Sequence, residues 1–263
     1  MTTTTAPGTF CWNEVASPNL DASKEFYCQL FGWTAEENPM PGDGPGVYVL
    51  FKLNGVDIAG GYQLSEEVFP GVPPHWAAYV SVKNVDATLA KALAAGGTPT
   101  MPAMDIPEIG RMAGFMDPTG AAIAIFQMGD KEERPSLGTA TGFPCWNELA
   151  TNDTAKAGAF YHEVFDWGVD KKDGGPMPYT EWTMGDQSVG GMLQIDPAWG
   201  PVPPYWAMYV SVENCDVSLA RALELGAKIK APAMDVEGVG RFACLADPTG
   251  VVFSIITLDE AHC

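Results

Sequence analysis

Apolar and polar residues alternate over residues 10–16, Phe-Cys-Trp-Asn-Glu-Val-Ala, which predicts a half-buried strand. The period then changes. From Leu20 to Phe31 apolar positions recur at helical spacing, entered through Asn19 or Asp21 as cap and closed by Gly32. Strand patterns follow at residues 47–53 and 56–63, joined by Asn54-Gly55, the strongest two-residue hairpin cue. The order then starts again: a strand over 76–82, a helix over 85–95 capped by Asn84 and stopped by Gly96-Gly97, and strands around 98–101, 110–117 and 121–128. Asp117-Pro118-Thr119-Gly120 forms the turn between the last two. Each β-α-β-β-β module has one helix to cover one face of a mixed sheet, so the other face is left concave. Two modules predict an α+β domain with a trough lined by strand residues, where a ligand would bind.

The whole pattern occurs twice. Cys11-Trp12-Asn13-Glu14 recurs as Cys145-Trp146-Asn147-Glu148, Phe26-Tyr27 as Phe160-Tyr161, and Leu30-Phe31-Gly32-Trp33 as Val164-Phe165-Asp166-Trp167, all at an offset of 134. Pro73-Pro74-His75-Trp76-Ala77 recurs as Pro203-Pro204-Tyr205-Trp206-Ala207, and Asp117 to Gly120 as Asp247 to Gly250, at an offset of 130. The difference predicts a second copy four residues shorter in the Gly/Pro-rich stretch near Pro39 to Gly46. So long a period means duplication of a domain, not a solenoid. Domains are expected at 8–129 and 142–259, with residues 130–141 as a charged linker.

Composition narrows the function classes. With 46% hydrophobic and 18% charged residues in 263, the chain is globular. Fourteen Lys and Arg against 33 Asp and Glu give a net charge of −19, which repels phosphate backbones and anionic headgroups, so neither nucleic acid nor a membrane is an expected partner. No apolar run approaches the roughly 20 residues that span a bilayer. Met1 to Pro7 has neither a basic nor an apolar leader region, so a cytoplasmic location is expected. Six cysteines without a C-x-x-C pair indicate reduced thiols, with thiol chemistry left open at the repeat-related Cys11 and Cys145.

The first strand, the helix ending in Phe-Tyr-x-x-Leu-Phe-Gly-Trp and the final hairpin with Asp-Pro-Thr-Gly, all duplicated, resemble the vicinal oxygen chelate superfamily. That superfamily includes glyoxalase I, bleomycin-resistance proteins and extradiol dioxygenases. The likeness covers essentially the whole chain, twice, and is narrower to a tandem-domain actinobacterial subgroup labelled glyoxalase-like or hydroxylase. It implies metal ligands at four strand positions per copy. Here these fall on Trp12 and Trp146, near Gly60-Gly61 and Gly190-Gly191, on or beside Ala77 and Ala207, and on Ala124 and Ser254. None offers an imidazole or a carboxylate, so neither a metal nor another cofactor is expected. A seat made of Glu14, His75 and one further group stays open in the first copy. Of the other histidines, His162 reads as exposed on a helix and His262 lies in the tail.

Alternation places Trp12, Glu14, His75 and Tyr79 on the first trough, and Trp146, Glu148, Tyr205 and Tyr209 on the second, with Trp182 and Met184 joining the latter. The rings would stack on a flat ligand. Glu14, Glu148 and His75 are the candidate acid/base groups, since a carboxylate desolvated between aromatics is poised for proton transfer. The structural alternative is a carboxylate that braces the wall through backbone amides, Arg111 or Arg241, for which Asp105 and Asp235 compete. The leading expectation is a metal-independent protein acting on a small aromatic or apolar molecule. Pure sequestration of an antibiotic-like ligand is the second, and a metal-dependent glyoxalase or dioxygenase the third. A monomer acting as a pseudo-dimer, or a homodimer, would serve.

Overall fold

The structure, a computed structural model, describes residues 5–40, 46–129, 138–172 and 177–259; most of the expected linker and His262 lie outside the described residues. The first copy runs β1 (Phe10–Ser17), α1 (Leu20–Phe31), β2 (Thr34–Pro39), β3 (Val47–Leu53), β4 (Val56–Gln63), β5 (His75–Ser81), α2 (Val85–Ala94), β6 (Thr98–Ile106), β7 (Gly110–Met116) and β8 (Ala122–Met128). The second runs β9 (Pro144–Thr151), α3 (Thr154–Phe165), β10 (Gly168–Lys172), β11 (Tyr179–Met184), β12 (Gln187–Gln194), β13 (Tyr205–Ser211), α4 (Cys215–Glu224), β14 (Lys228–Val236), β15 (Gly240–Ala246) and β16 (Val252–Leu258). Each copy supplies one eight-stranded mixed sheet, β2-β3-β4-β1-β5-β8-β7-β6 and β10-β11-β12-β9-β13-β16-β15-β14. The α+β class and the paired β-α-β-β-β modules are as expected.

Local chemistry sets the boundaries. The Asn19 side chain accepts from the Ala22 amide at 3.2 Å and starts α1, and Gly32 ends it at φ 70°. Asp166 holds the same left-handed turn after α3, at φ 61°. The edge strands β2 and β10 carry no apolar alternation and are almost wholly exposed, so the pattern missed them. Strand β6 runs on to Ile106, past Pro102, with irregular register against β7.

Strand register also corrects the position of the deletion. Asn38 pairs with Tyr48 and Lys172 with Tyr179, so the offset is already 131 at the start of β3 and β11. Three residues are therefore missing in that hairpin. The fourth falls between Leu64 and Pro73, matched by Ile195 and Pro203. As a result Gly60 and Gly191, each paired with a glutamate of the neighbouring strand, are true counterparts, and so are Tyr62 and Leu193.

By internal packing the chain forms two compact units that cut across the repeat. One draws on Met1–Cys11, Ala78–Ser136 and Trp146–Ala207, the other on Trp12–Ala77, Leu137–Cys145 and Met208–Cys263. In the latter, Tyr27 sits in a core with Trp33, Phe51, Trp76 and Phe253, and its hydroxyl accepts from the Trp76 indole at 2.9 Å. In the former, Tyr161 packs with Phe165, Trp167, Trp182 and Trp206 and accepts from Trp206 at 2.9 Å. Each ring buries enough apolar area for about 1.5–3 kcal/mol. The two copies thus keep the same Tyr–Trp hydrogen bond at the centre of each core. Among the described residues no helix is long and apolar enough to cross a membrane.

Candidate acid sites

In β1 the residues Val15 and its neighbours facing the core alternate with Trp12 and Glu14 on the other face. Glu14 lies opposite Gly60 of β4, and Tyr48 of β3 lies opposite Tyr62 of β4. Tyr48 reaches across β4 over Gly60. Its hydroxyl accepts from the Trp12 indole at 3.0 Å and donates to the Glu14 carboxylate at 2.5 Å. The indole can only donate, so the direction of this relay is set. The second copy repeats it: Trp146 donates to Tyr179 at 2.9 Å, and Tyr179 hydrogen-bonds Glu148, which is paired with Gly191. Burial first, and then the Glu148 charge, hold the Tyr179 phenol well above its ordinary range, so it stays a donor.

Tyr48 and Tyr179 are the residues that sequence reasoning missed. The mid-strand glycines were the available signal, because a strand glycine marks a close approach. The expected bracing arginines are engaged elsewhere: Arg111 makes a two-pronged pair with Asp86 and a third bond to Asp105, and Arg241 does the same with Asp216 and Asp235.

His75, half-buried, opens β5 in the same unit as Glu14. Its Nδ1 lies 2.8 Å from the Pro73 carbonyl, and burial lowers its pKa, so the ring is neutral with the proton on Nδ1. Tyr205 replaces it in the second copy and packs, with Tyr179, on Leu193. Tyr79 and Tyr209 are buried on β5 and β13; Tyr79 offers its carbonyl to the Cys11 thiol, and Tyr209 packs on Phe242. Trp182 is corrected from ligand surface to core: it is fully buried against Tyr161 and Trp167, and its indole donates to the Gly191 carbonyl. It is the counterpart of Phe51, which is also fully buried. Met184, partly buried, packs over Gly8, whose carbonyl accepts from Trp167.

The Cys145 thiol is a poor nucleophile. Cys145 donates to the Tyr209 carbonyl at 3.5 Å, and burial pushes it up to about 12. His162 is exposed on α3, against the Trp167 carbonyl. A cavity of about 290 Å³ beside α3, with Gly158, Val169, Lys171 and Met192 in its lining, holds Lys171 as its one titratable group, so the carboxylate chemistry lies elsewhere.

The fold's relatives raise the question of a metal. Trp12, Gly60, Ala77 and Ala124, and Trp146, Gly191, Ala207 and Ser254, do not make a donor set for a divalent ion. Among the described residues no group of three or more His, Cys, Asp or Glu is gathered to hold one. Glu14 and His75 therefore lack a third such ligand there.

Comparison with known proteins agrees with this architecture. Residues 11–125 match the family model of the Glyoxalase/Bleomycin resistance protein/Dioxygenase superfamily, and residues 147–256 that of the glyoxalase-like domain. The chain is 37% identical over 250 residues to CFP32 of Mycobacterium tuberculosis, named as a candidate glyoxylase, covering 95% of this chain and 94% of that protein. It is 35% identical over 270 residues to the anthracycline biosynthesis protein DauV of Streptomyces sp. strain C5, covering 98% and 96%. Among solved structures, the Mn(II)-bound glyoxalase of Novosphingobium aromaticivorans superposes with a TM-score of 0.65 at 15% identity, over 96% of this chain and 83% of that one.

Proposed function

The chain belongs to the glyoxalase/bleomycin resistance protein/dioxygenase superfamily, and we propose that it acts without a metal on a small, flat aromatic or apolar molecule, by carboxylate acid/base chemistry. The observation that carries this reading is the relay from Trp12 through Tyr48 to Glu14. A relay of fixed direction holds one carboxylate in one orientation among aromatic rings, which is what a general base needs. Glu14 takes a proton from a ligand hydroxyl, or from a carbon next to a carbonyl, and returns it at a second atom, so no oxidant or metal enters the balance. The names of the Streptomyces relatives support a place in tailoring aromatic natural products, with detoxification as the related role. The relay is complete within one chain, so a monomer suffices and a homodimer is compatible.

The test is turnover of hydroxynaphthoquinones and aromatic polyketides by chelator-stripped protein, followed by absorbance and mass spectrometry. Activity that survives chelation and falls about a hundredfold in Glu14→Gln supports the proposal. Near-stoichiometric manganese, iron, nickel or zinc, with activity lost on chelation, overturns it in favour of a metal-dependent glyoxalase or dioxygenase. A second reading is sequestration, favoured by the pairing of an aromatic acid site in each copy. Protection of the ligand without any product would establish that instead.

A further inference from the structure

We propose that the two acid sites have divided roles: the Glu14 site recognises a hydroxyl-bearing aromatic carbonyl compound, and the Glu148 site is closed by its own side chains. This rests on the functional reading above. The Trp–Tyr–Glu relay is common to both sites, so the division lies in two positions at which they differ, one given by strand register and one by the sequence repeat. Strand β1 lies between β4 and β5; β4 brings a polar group close enough to feel the Glu14 charge, and β5 carries one whose counterpart, Tyr205, packs on the same cluster as Tyr179 in the second copy. On β4 it is Tyr62, directly opposite Ala16. Its phenol has no hydrogen-bond partner among the described residues, and burial, followed by the nearby Glu14 charge, keeps it protonated. On β5 it is His75, whose Nδ1–H is spent on the Pro73 carbonyl, leaving Nε2 as a lone-pair acceptor with no partner among the described residues.

Around Glu148 the same two positions hold Leu193 and Tyr205. Leu193 is buried with Ala150 and Ile195, and Tyr205 and Tyr179, each partly buried, pack against that cluster. Where the first copy has Tyr62 and His75, the second has the buried aliphatic Leu193 and the bulkier ring of Tyr205. Beside Tyr62 the following loop brings Phe69, 39% exposed, to 5.9 Å from its ring, a partly open apolar wall against which a flat molecule can lie.

The ligand chemistry follows from these groups. Tyr62 can donate to a carbonyl, and His75 Nε2 and Glu14 accept from a phenolic or enolic hydroxyl. A chain of net charge −19 that presents a further carboxylate at the site disfavours an anion, so the ligand is neutral or cationic.

The experiment is an absorbance titration of the full chain with 1,4-dihydroxyanthraquinone, and with unsubstituted anthraquinone, which lacks the hydroxyls. One dihydroxyanthraquinone site per chain is expected. Tyr62→Phe and His75→Gln should each weaken it about tenfold, the loss of one hydrogen bond; anthraquinone, which keeps the carbonyls and lacks the hydroxyls, should lose affinity in Tyr62→Phe and be unmoved in His75→Gln. The double variant Leu193→Tyr/Tyr205→His should gain a second site, which tests the division without disturbing the first. Two sites of equal affinity in the unsubstituted chain, or one site indifferent to both Tyr62→Phe and His75→Gln, overturns the division while the functional reading stands. No binding of either compound overturns the functional reading, and this inference with it.

Discussion

Tyr48 passes over the bare α-carbon of Gly60: a methyl group there would sit 2.0 Å from the tyrosine hydroxyl, closer than real atoms approach. Gly191 stands in the same relation to Tyr179, at 1.8 Å. The glycine is therefore what lets a side chain from β3 reach a carboxylate two strands away. Gly60→Ala should displace the phenol, break the relay and cost about 1–3 kcal/mol, as overpacking does. In a Tyr48→Ala background the same substitution should cost clearly less, because the obstructed ring is gone and only the Glu14 side chain, 3.0 Å from the added methyl, has still to give. Urea denaturation of the four proteins of the cycle measures the coupling. Equal costs in both backgrounds would show that the crossing is not what Gly60 is for.

A buried carboxylate in each core gives a second prediction. Asp247 ties the turn before β16 through the amides of Thr249 and Val251, and its other oxygen lies 2.8 Å from the Ser23 hydroxyl. The counterpart Asp117 ties its own turn in the same way, but Ala157 stands where the first copy has Ser23. Ser23→Ala should thus cost about 1–2 kcal/mol, through a charge-assisted hydrogen bond lost from a buried acceptor. Ala157→Ser should be neutral or stabilising by up to about 1 kcal/mol. Calorimetric midpoints of the two variants decide the matter, and a destabilised Ala157→Ser protein would mean that Asp117 has no room for the added hydroxyl.

Much of this was legible in the chain, because the signals were local. Asn19, Gly32, Asn54-Gly55 and the Asp-Pro-Thr-Gly turns mark boundaries by backbone chemistry that does not depend on distant neighbours. Strand β2 was not legible, since an exposed edge strand of sequence TAEENP buries nothing and so shows no period. The site was half legible. Alternation put Trp12 and Glu14 on one face, yet it says nothing about a side chain that crosses a neighbouring strand, and so Tyr48 and Tyr179 were missed. Trp182 was misplaced for a related reason: β11 slips register between Trp182 and Thr183, and only the observed pairing aligns Trp182 with the buried Phe51.

The thiol that the repeat placed beside the second acid site should be inert. Cys145 is pushed up to about 12 by burial and spends its proton on the Tyr209 carbonyl, so almost no thiolate exists at pH 8. Treatment of the native protein with iodoacetamide at that pH, followed by peptide mass spectrometry, should leave Cys145 unmodified until a denaturant is added. Modification as fast in the native as in the denatured chain would restore it as a candidate nucleophile.

His75 makes stability depend on pH with a sign that can be worked out. Its pKa is lowered from 6.5 because burial disfavours the imidazolium, and the bond to the Pro73 carbonyl only partly offsets this. Above 6.5 the ring is neutral in both the folded and the unfolded chain and adds no pH dependence. As the pH falls below that value the unfolded chain takes up a proton that the folded one refuses, so stability declines until the folded pKa is reached and is constant in this term below it. Carboxylates titrate lower and contribute to both proteins alike, so the informative quantity is the difference between the unsubstituted chain and His75→Gln. That difference should be flat above pH 6.5 and should change in favour of His75→Gln as the pH falls through 6. Urea midpoints taken in half-unit steps from pH 8 to 5 measure it. A difference moving the other way would mean that the imidazolium is favoured in the folded state, and that Nε2 is a donor rather than the acceptor assigned to it at the Glu14 site.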